Sequence, residues 1–477
     1  MKWKRLTTTA TLLAAMLVLA ACGVNPVTGK REIQFVSETQ ELQLGEKEYA
    51  PTRQSEGGDY ELLPDLTTYV NEVGQKLAAV ADRKLPYEFK VLNSSVPNAW
   101  ALPGGKIAVN RGLLMELKNE AELAAVLGHE IVHAAARHGA KAQERGTLMQ
   151  AGLAAAQIGA AMGGVDQQMA GLVLGGASVG AQMVQMRYGR DQELESDLYG
   201  MRYMKAAGYD PSAAISLQET FVRLSQGQGQ QDWLSGLFAS HPPSQERVER
   251  NRQTAQQLGA GGDLGTERYV ARVAPLMKLK PAYDRYDEAQ AALAKQDLAN
   301  ARRLAGEAAK LEPREGRFQQ LLGDIELSAK RDREALPFYQ KAVQLSPGYF
   351  GSWLGAGVAE YRSGNKTQAK NSLAKSMELL PTAPAALYLG NLTRDAGDTA
   401  GALSYYQAAT SAQGDIGKEA AREAMLLDLP KNPGNYIAAA LRTGSDGRPM
   451  LVVENRAPVA LGSIAVTPVL VNSAGQV

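Results

Sequence analysis

A spacing of 34 residues, repeated in three sets, rules out most folds for the second half of this chain. Ala301, Ala335 and Ala369 form one set, Leu311, Leu345 and Leu379 a second, and Pro313, Pro347 and Pro381 a third. A unit of that length holds two helices and their turns, with small residues where the helices cross and proline closing each unit. One such hairpin cannot bury its own apolar face, so the units must stack into an α-solenoid. Roughly four hairpins fit between Tyr283 and Ala412. A generic helical bundle would not keep three sets in phase.

The pattern resembles tetratricopeptide repeats, whose curved arrays offer a concave surface to peptides or partner proteins. The repeat domain is assigned to residues 275–429. Beyond it, Met450–Asn455 and Ile464–Thr467 read as strands and Arg442–Arg448 as a turn, making 435–477 a small β module. Its last strand has no partner before the sequence stops, so the module reads as incomplete.

The chemistry lies in the first half. Asn119, with Glu122 three residues on, makes an N-cap and its capping-box partner, and Leu123, Val126, Leu127 and Ile131 follow at helical spacing. His129 and His133 are four apart and share one helix face. Two imidazoles so placed can hold a zinc ion, with Glu130 polarising a water as general base. With four histidines in 477 residues, two buried histidines paired by chance is the weaker reading. A third ligand belongs on a later helix. In Arg190–Gly200, Glu193 and Asp197 lie i and i+4 and share a face; Glu195 points elsewhere but remains the competitor for the ligand role. A carboxylate ligand leaves the fourth zinc position for water, as a hydrolase requires. Asp197 is then placed to accept the outer ring N–H of a ligand histidine and fix its tautomer.

His129-Glu130-x-x-His133 paired with Glu193-x-x-x-Asp197 resembles zinc metallopeptidase family forty-eight, which contains the HtpX heat-shock protease, the CAAX prenyl protease and the periplasmic BepA proteins. Asn98–Gly105 with Gly112-Leu113-Leu114, then Ala207–Pro211, then Ser240–Ser244 match in the family's order. The resemblance implies an α+β, mostly helical zincin-type (gluzincin) domain, assigned to residues 37–262, with one zinc ion per chain and endopeptidase activity. It also implies that the stretch before the catalytic helix binds substrate, with Asn98, Ala99 and Trp100 lining the cleft. Tyr87–Leu92 alternates like a strand, and Ala99–Val109 reads as a hairpin broken at Pro103-Gly104-Gly105, whose edge can take an extended peptide. Ahead of these, Ser37 and Gln40 box a helix running to about Ala50, and a helix after Pro64 turns Leu66, Val70, Val73 and Leu77 inward.

His241 precedes Pro242-Pro243 and so belongs to a loop before a helix. Two roles stay open for it: a donor to the tetrahedral oxyanion, or a fourth zinc ligand that keeps the site latent. Arg247, in the following helix, shares that task. His138, five residues past His133, points off the ligand face and reads as a structural hydrogen-bonding residue.

Residues 146–184 are rich in alanine, glycine and methionine, with Asp166 their sole charge. Membrane-bound relatives span the bilayer near this point. Here the apolar side chains are small and Gly163–Gln168 interrupts the run, so two short helices forming a lid beside the site are expected instead. At the N-terminus, Lys2, Lys4 and Arg5 precede an apolar stretch, Leu12–Leu19, too short for a membrane span. Leu19-Ala20-Ala21-Cys22 resembles a bacterial lipobox and holds the chain's single cysteine. Residues 1–21 are thus a lipoprotein signal peptide and 22–36 a tether lipidated at Cys22. Gly23 resembles the signal for sorting to a Gram-negative outer membrane, facing the periplasm. With 51 Lys plus Arg against 50 Asp plus Glu, there is no electrostatic case for nucleic acid.

The function expected is a zinc endopeptidase acting on unfolded or misassembled envelope proteins recruited by its repeats, in contact with the outer-membrane assembly machinery. The rival expectation is an assembly chaperone or adaptor whose protease site is latent.

Overall fold

The computed structural model describes residues 22–142, 144, 187–226, 240–259, 261–443 and 448–462. The expected signal peptide, the expected lid at 146–184 and the expected strand at Ile464–Thr467 lie outside these residues. Among the described residues, no helix is long and apolar enough to cross a membrane.

A short antiparallel hairpin, β1 (Cys22–Val24) and β2 (Arg31–Ile33), leads into helix α1 (Glu38–Ser55). The Ser37–Gln40 capping box forms as expected. The helix runs past Ala50 and through Pro51 because Tyr49 packs on the sheet and the buried Thr52 hydroxyl donates back to Glu48 O at 2.6 Å, holding the turn in place. Helix α2 (Pro64–Ala78) buries Leu66, Val70, Val73 and Leu77.

Three strands form the sheet: β3 (Glu88–Leu92), β4 (Ala99–Leu102) and β5 (Lys106–Asn110), in the order β3-β5-β4. β5 runs parallel to β3 and antiparallel to β4, and the β4–β5 turn uses Gly104 and Gly105 at positive φ. Strand periodicity sorts the side chains by face. Phe89, Val91, Ala99, Ala101, Ile107 and Val109 join the main core, while Leu92, Trp100, Leu102 and Ala108 pack on Tyr49 of α1. The core face covers α4 (Glu120–Ala135), entered through the short α3 (Arg111–Glu116) and buried along its whole length. Asn119 caps α4 by accepting from Glu122 N–H at 2.8 Å. The Glu122 carboxylate takes the Lys118 N–H and the Ser216 hydroxyl, leaving the capping box half made. Helices α5 (Arg190–Ala206), α6 (Ala213–Gln226) and α7 (Gln245–Leu258) complete the domain.

The joint left between 262 and 275 is not a linker. α8 (Thr266–Ala294) runs unbroken through Pro275 and Pro281, because Tyr269, Val273 and Leu276 are core residues and the Tyr269 hydroxyl donates to Leu114 O at 2.6 Å. α8 is also the first helix of the solenoid. It pairs with α9 (Leu298–Leu311); α10 (Gly316–Ser328) pairs with α11 (Asp332–Leu345), α12 (Phe350–Arg362) with α13 (Lys366–Leu379), and α14 (Ala383–Asp395) with α15 (Thr399–Ala409), before α16 (Gly414–Asp428) closes the array. Ala301, Ala335 and Ala369 are fully buried at the helix crossings.

A polar seam joins the solenoid to the N-terminal domain. The Arg111 guanidinium lies 3.3 Å from the Tyr283 ring centre, Tyr283 donates to Glu315 at 2.6 Å, and Ser95 donates to Asp287 at 2.8 Å. The C-terminal module is a hairpin of β6 (Ile437–Thr443) and β7 (Pro449–Asn455). Arg442 and Thr443 thus end a strand rather than begin a turn. That strand carries Ala438-Ala439-Ala440, which has no β signature.

Candidate metal centre

The catalytic helix and the acidic helix touch back to back at two glycines. A Cβ added to Gly200 would lie 3.0 Å from His129 N, so no larger residue lets α5 approach α4 this closely. That contact sets Glu193, at the start of α5, opposite His129 and His133. His133 Nε2 lies 3.0 Å from His129 Nε2 and 3.3 Å from Glu193 Oε1. His129 Nε2 is 3.6 Å from Glu193 Oε2. His241 joins them, its Nδ1 standing 3.1 Å from Glu193 Oε1 and 3.3 Å from His129 Nε2.

One donor atom from each of these four buried residues falls within 4.8 Å of the others. Tetrahedral ligands about 2.1 Å from a zinc ion stand roughly 3.4 Å apart. The separations here, 3.0 to 3.6 Å, bracket that value, and three imidazoles with a carboxylate are zinc's preferred donors. The residues therefore fit the ion. Glu195, the competitor for the ligand role, points instead to His138, 3.3 Å away.

The electrostatics sort the carboxylates. Burial works to raise the Glu193 carboxyl, but His241, Arg247 and His129 together hold it well below the usual range. Asp197 is treated alike: burial opposes its charge, and Arg247 overcomes it. Arg247 donates to both Asp197 oxygens at 2.7 Å, pairs with Glu193 Oε2 at 2.7 Å, and reaches Pro242 O at 3.3 Å. Asp197 Oδ1 in turn lies 2.9 Å from His129 Nδ1. Glu130 differs. Burial raises its carboxyl, His241 and His129 only partly offsetting this, and its Oε2 is buried without a partner. A poised, desolvated carboxyl beside the donor cluster suits proton transfer. Burial drives the His133 imidazole well toward its neutral form, the form that ligates metal.

Of the three residues expected to line the cleft, Ala99 does so, sharing a pocket with His129, Glu130, Val126, Met201, Leu217 and Phe221. Trp100 points through the sheet to Tyr49, with ring centres 6.0 Å apart. Asn98 is buried beside Asn110, whose N–H donates to its carbonyl at 2.8 Å. Ala99 and Trp100 are consecutive on β4 and face opposite sides of the sheet, so these two do not share one cleft.

His138 is not turned away. The helix stops at Ala135, Arg137 takes φ 63°, and the chain doubles back to place His138 Nδ1 3.0 Å from His133 Nδ1. Tyr188 belongs to no sequence motif. Its ring centre lies 3.9 Å from that of His133, and its N–H donates to Ser240 O at 3.2 Å.

Residues 64–255 match the model of Peptidase family M48, and residues 286–350 that of a tetratricopeptide repeat. The chain is 32% identical over 200 residues to the putative beta-barrel assembly-enhancing protease of Vibrio cholerae, covering 41% of this chain and 40% of that one. It is 32% identical over 231 residues to the mitochondrial metalloendopeptidase OMA1 of Schizosaccharomyces pombe, covering 47% and 64%. Against the metalloprotease YcaL of Escherichia coli it is 32% identical over 188 residues, covering 38% and 70%. The chain spans about half the length of the beta-barrel assembly-enhancing proteases of Yersinia pestis and Escherichia coli, at 53% and 52%.

Proposed function

The chain belongs to peptidase family M48, and we propose on that premise that it is a zinc-dependent endopeptidase. The observation that carries the reading is the closed cluster of His129, His133, Glu193 and His241 donors beside Glu130. His129, His133 and Glu193 would hold the zinc ion, which when bound would supply a Lewis acid to the water and the scissile carbonyl. Glu130 takes the water's proton on its Oε2 as the water oxygen bonds to the scissile carbonyl carbon, and gives that proton to the amide nitrogen as the C–N bond breaks. Asp197 holds the His129 tautomer, and Arg247 holds Asp197 and Glu193. The substrate backbone lies along β4 beside Ala99, next to an apolar pocket formed by Leu113, Val126, Met201, Leu217 and Phe221.

The setting proposed is the periplasmic face of a Gram-negative outer membrane, with Cys22 lipidated and the repeats recruiting misassembled outer-membrane proteins or touching the machinery that assembles them. The lipobox-like Leu19–Cys22, the repeats, and relatives named for β-barrel assembly support that setting. A second reading has an observation of its own. His241 sits among the ligand donors, 3.1 Å from Glu193, which suits a fourth ligand that keeps the protease latent while the repeats act as an adaptor.

Cleavage of casein by the mature soluble chain, with and without chelator, tests both readings beside Glu130→Gln and His241→Ala. Loss of cleavage in Glu130→Gln, which still binds zinc, and on chelation establishes the endopeptidase. A silent wild type with an active His241→Ala establishes the latch. Silence from every zinc-loaded variant refutes the protease and leaves the adaptor.

A further inference from the structure

Each ligand histidine has a second ring nitrogen facing away from the donor cluster, and the two are held differently. His129 Nδ1 meets a carboxylate, Asp197 Oδ1, at 2.9 Å. His133 Nδ1 meets another imidazole, His138 Nδ1, at 3.0 Å. His138 Nε2 lies 3.3 Å from Glu195 Oε1, and the Asn25 amide donates to that same oxygen at 3.3 Å. Asn25 is fully buried in the turn of the β1–β2 hairpin, where its own Oδ1 accepts from the N–H groups of Val27 and Thr28 at 2.9 and 3.2 Å.

The protons in this row can be placed from chemistry alone. Two facing ring nitrogens need one donor and one acceptor. His133 presents the Nε2 lone pair to the cluster, so its proton sits on Nδ1 and is donated to His138 Nδ1. His138 must then carry its own proton on Nε2, where Glu195, an acceptor only, receives it. The opposite tautomer of His138 would set N–H against N–H at His133 and a bare lone pair against a carboxylate.

We propose that His138, Glu195 and Asn25 are positioning residues for His133, a relay that fixes its tautomer and ring and extends to the N-terminal hairpin. This rests on the reading of His133 as a zinc ligand. The backbone is shaped for the relay. Arg137 holds its left-handed φ of 63° with its guanidinium clasped by Glu41, Gln34 and the Val36 carbonyl. Glu144 accepts from the N–H groups of Phe35 and Val36 at 2.8 Å, pinning the same tether to the chain that follows His138.

The test uses the mature full chain and two readouts apart from activity: zinc affinity by competition with a chromophoric chelator, and the visible spectrum after cobalt substitution. His138→Phe removes the acceptor and should weaken zinc binding by about 10- to 100-fold, with an altered cobalt spectrum. His138→Asn sets an amide oxygen near the place of Nδ1 and should recover most of the loss. Glu195→Gln should weaken binding in the wild-type background and add nothing in His138→Phe. Wild-type affinity and spectrum in His138→Phe, no recovery with asparagine, or an undiminished Glu195→Gln effect in both backgrounds each overturns the proposal. If His138→Phe does not fold, Glu195→Leu at its partly exposed position decides in its place, weakened binding supporting the relay and unchanged binding refuting it. A wild-type chain that binds no zinc would overturn the site reading itself, a result distinct from all of these.

Discussion

Replacing Arg247 by methionine should destabilise the zinc-free protein by about 3–5 kcal/mol at neutral pH, the usual cost of removing one partner from a buried charge pair. Arg247 is 5% exposed and makes two hydrogen bonds of 2.7 Å to Asp197 besides the ion pair with Glu193. Hydrogen bonds to charged groups are worth roughly 1.5–3 kcal/mol each, so the gross loss is larger still. Methionine fills much of the same space, and most of the cost comes from the two carboxylates left behind. Asp197→Asn on top of Arg247→Met should therefore recover about 1–3 kcal/mol, because it removes one stranded charge. Urea unfolding of the metal-free chain, followed by far-ultraviolet circular dichroism, measures both. A zinc titration of Arg247→Met should show affinity lower by roughly 10- to 100-fold, since Asp197, which orients His129, loses the guanidinium that holds it in place. A single-variant loss below about 1 kcal/mol, or strict additivity in the double variant, would refute the claim that Arg247 neutralises buried charge.

Gly200→Val should push α5 off α4, because even a Cβ there meets His129 N at 3.0 Å. Zinc affinity should fall at least tenfold, by roughly the margin seen when ligand geometry is disturbed, and unchanged affinity would show that the glycine contact does not set the donor spacing. Glu120 governs acid stability away from the metal. Burial works to raise its carboxyl, but hydrogen bonds from Arg268, Tyr69 and Tyr209 hold it low. Its contribution is present above the unfolded-state value of about 4.3 and lost as pH falls through the lower folded value. Glu120→Gln should cost stability at neutral pH and flatten the acid limb of a plot of urea midpoint against pH; an unchanged limb counts against the assignment.

The residues that meet at the donor cluster were legible where helical periodicity alone decides direction. His129 with His133, and Glu193 with Asp197, are each i and i+4, the first pair on a helix with a plain apolar stripe and the second on a charge-rich one. Trp100 shows how strand alternation decides a side, since as Ala99's neighbour on β4 it faces Tyr49 across the sheet from the donor cluster. His138 shows where local rules end. Its return to His133 depends on a left-handed arginine, a conformation costly for a side chain with a Cβ and held here by Glu41, 96 residues earlier. α8 is a similar case, for prolines at 275 and 281 suggest boundaries until Tyr269, Val273 and Leu276 are seen to be core.

That shared helix has a consequence for how the molecule comes apart. One continuous apolar cluster runs from Val27 to Ile325, taking in the catalytic helix, the first helical hairpin of the solenoid (α8 and α9) and α10. Cutting the chain ahead of Tyr283 would bare Tyr60 and strip the Arg111 guanidinium of its ring. The protease half is therefore not an excisable module, and melting should take it together with α8, α9 and α10. The later hairpins have small cores of their own, so repeats can be lost or added at the far end while the near end stays welded to the site.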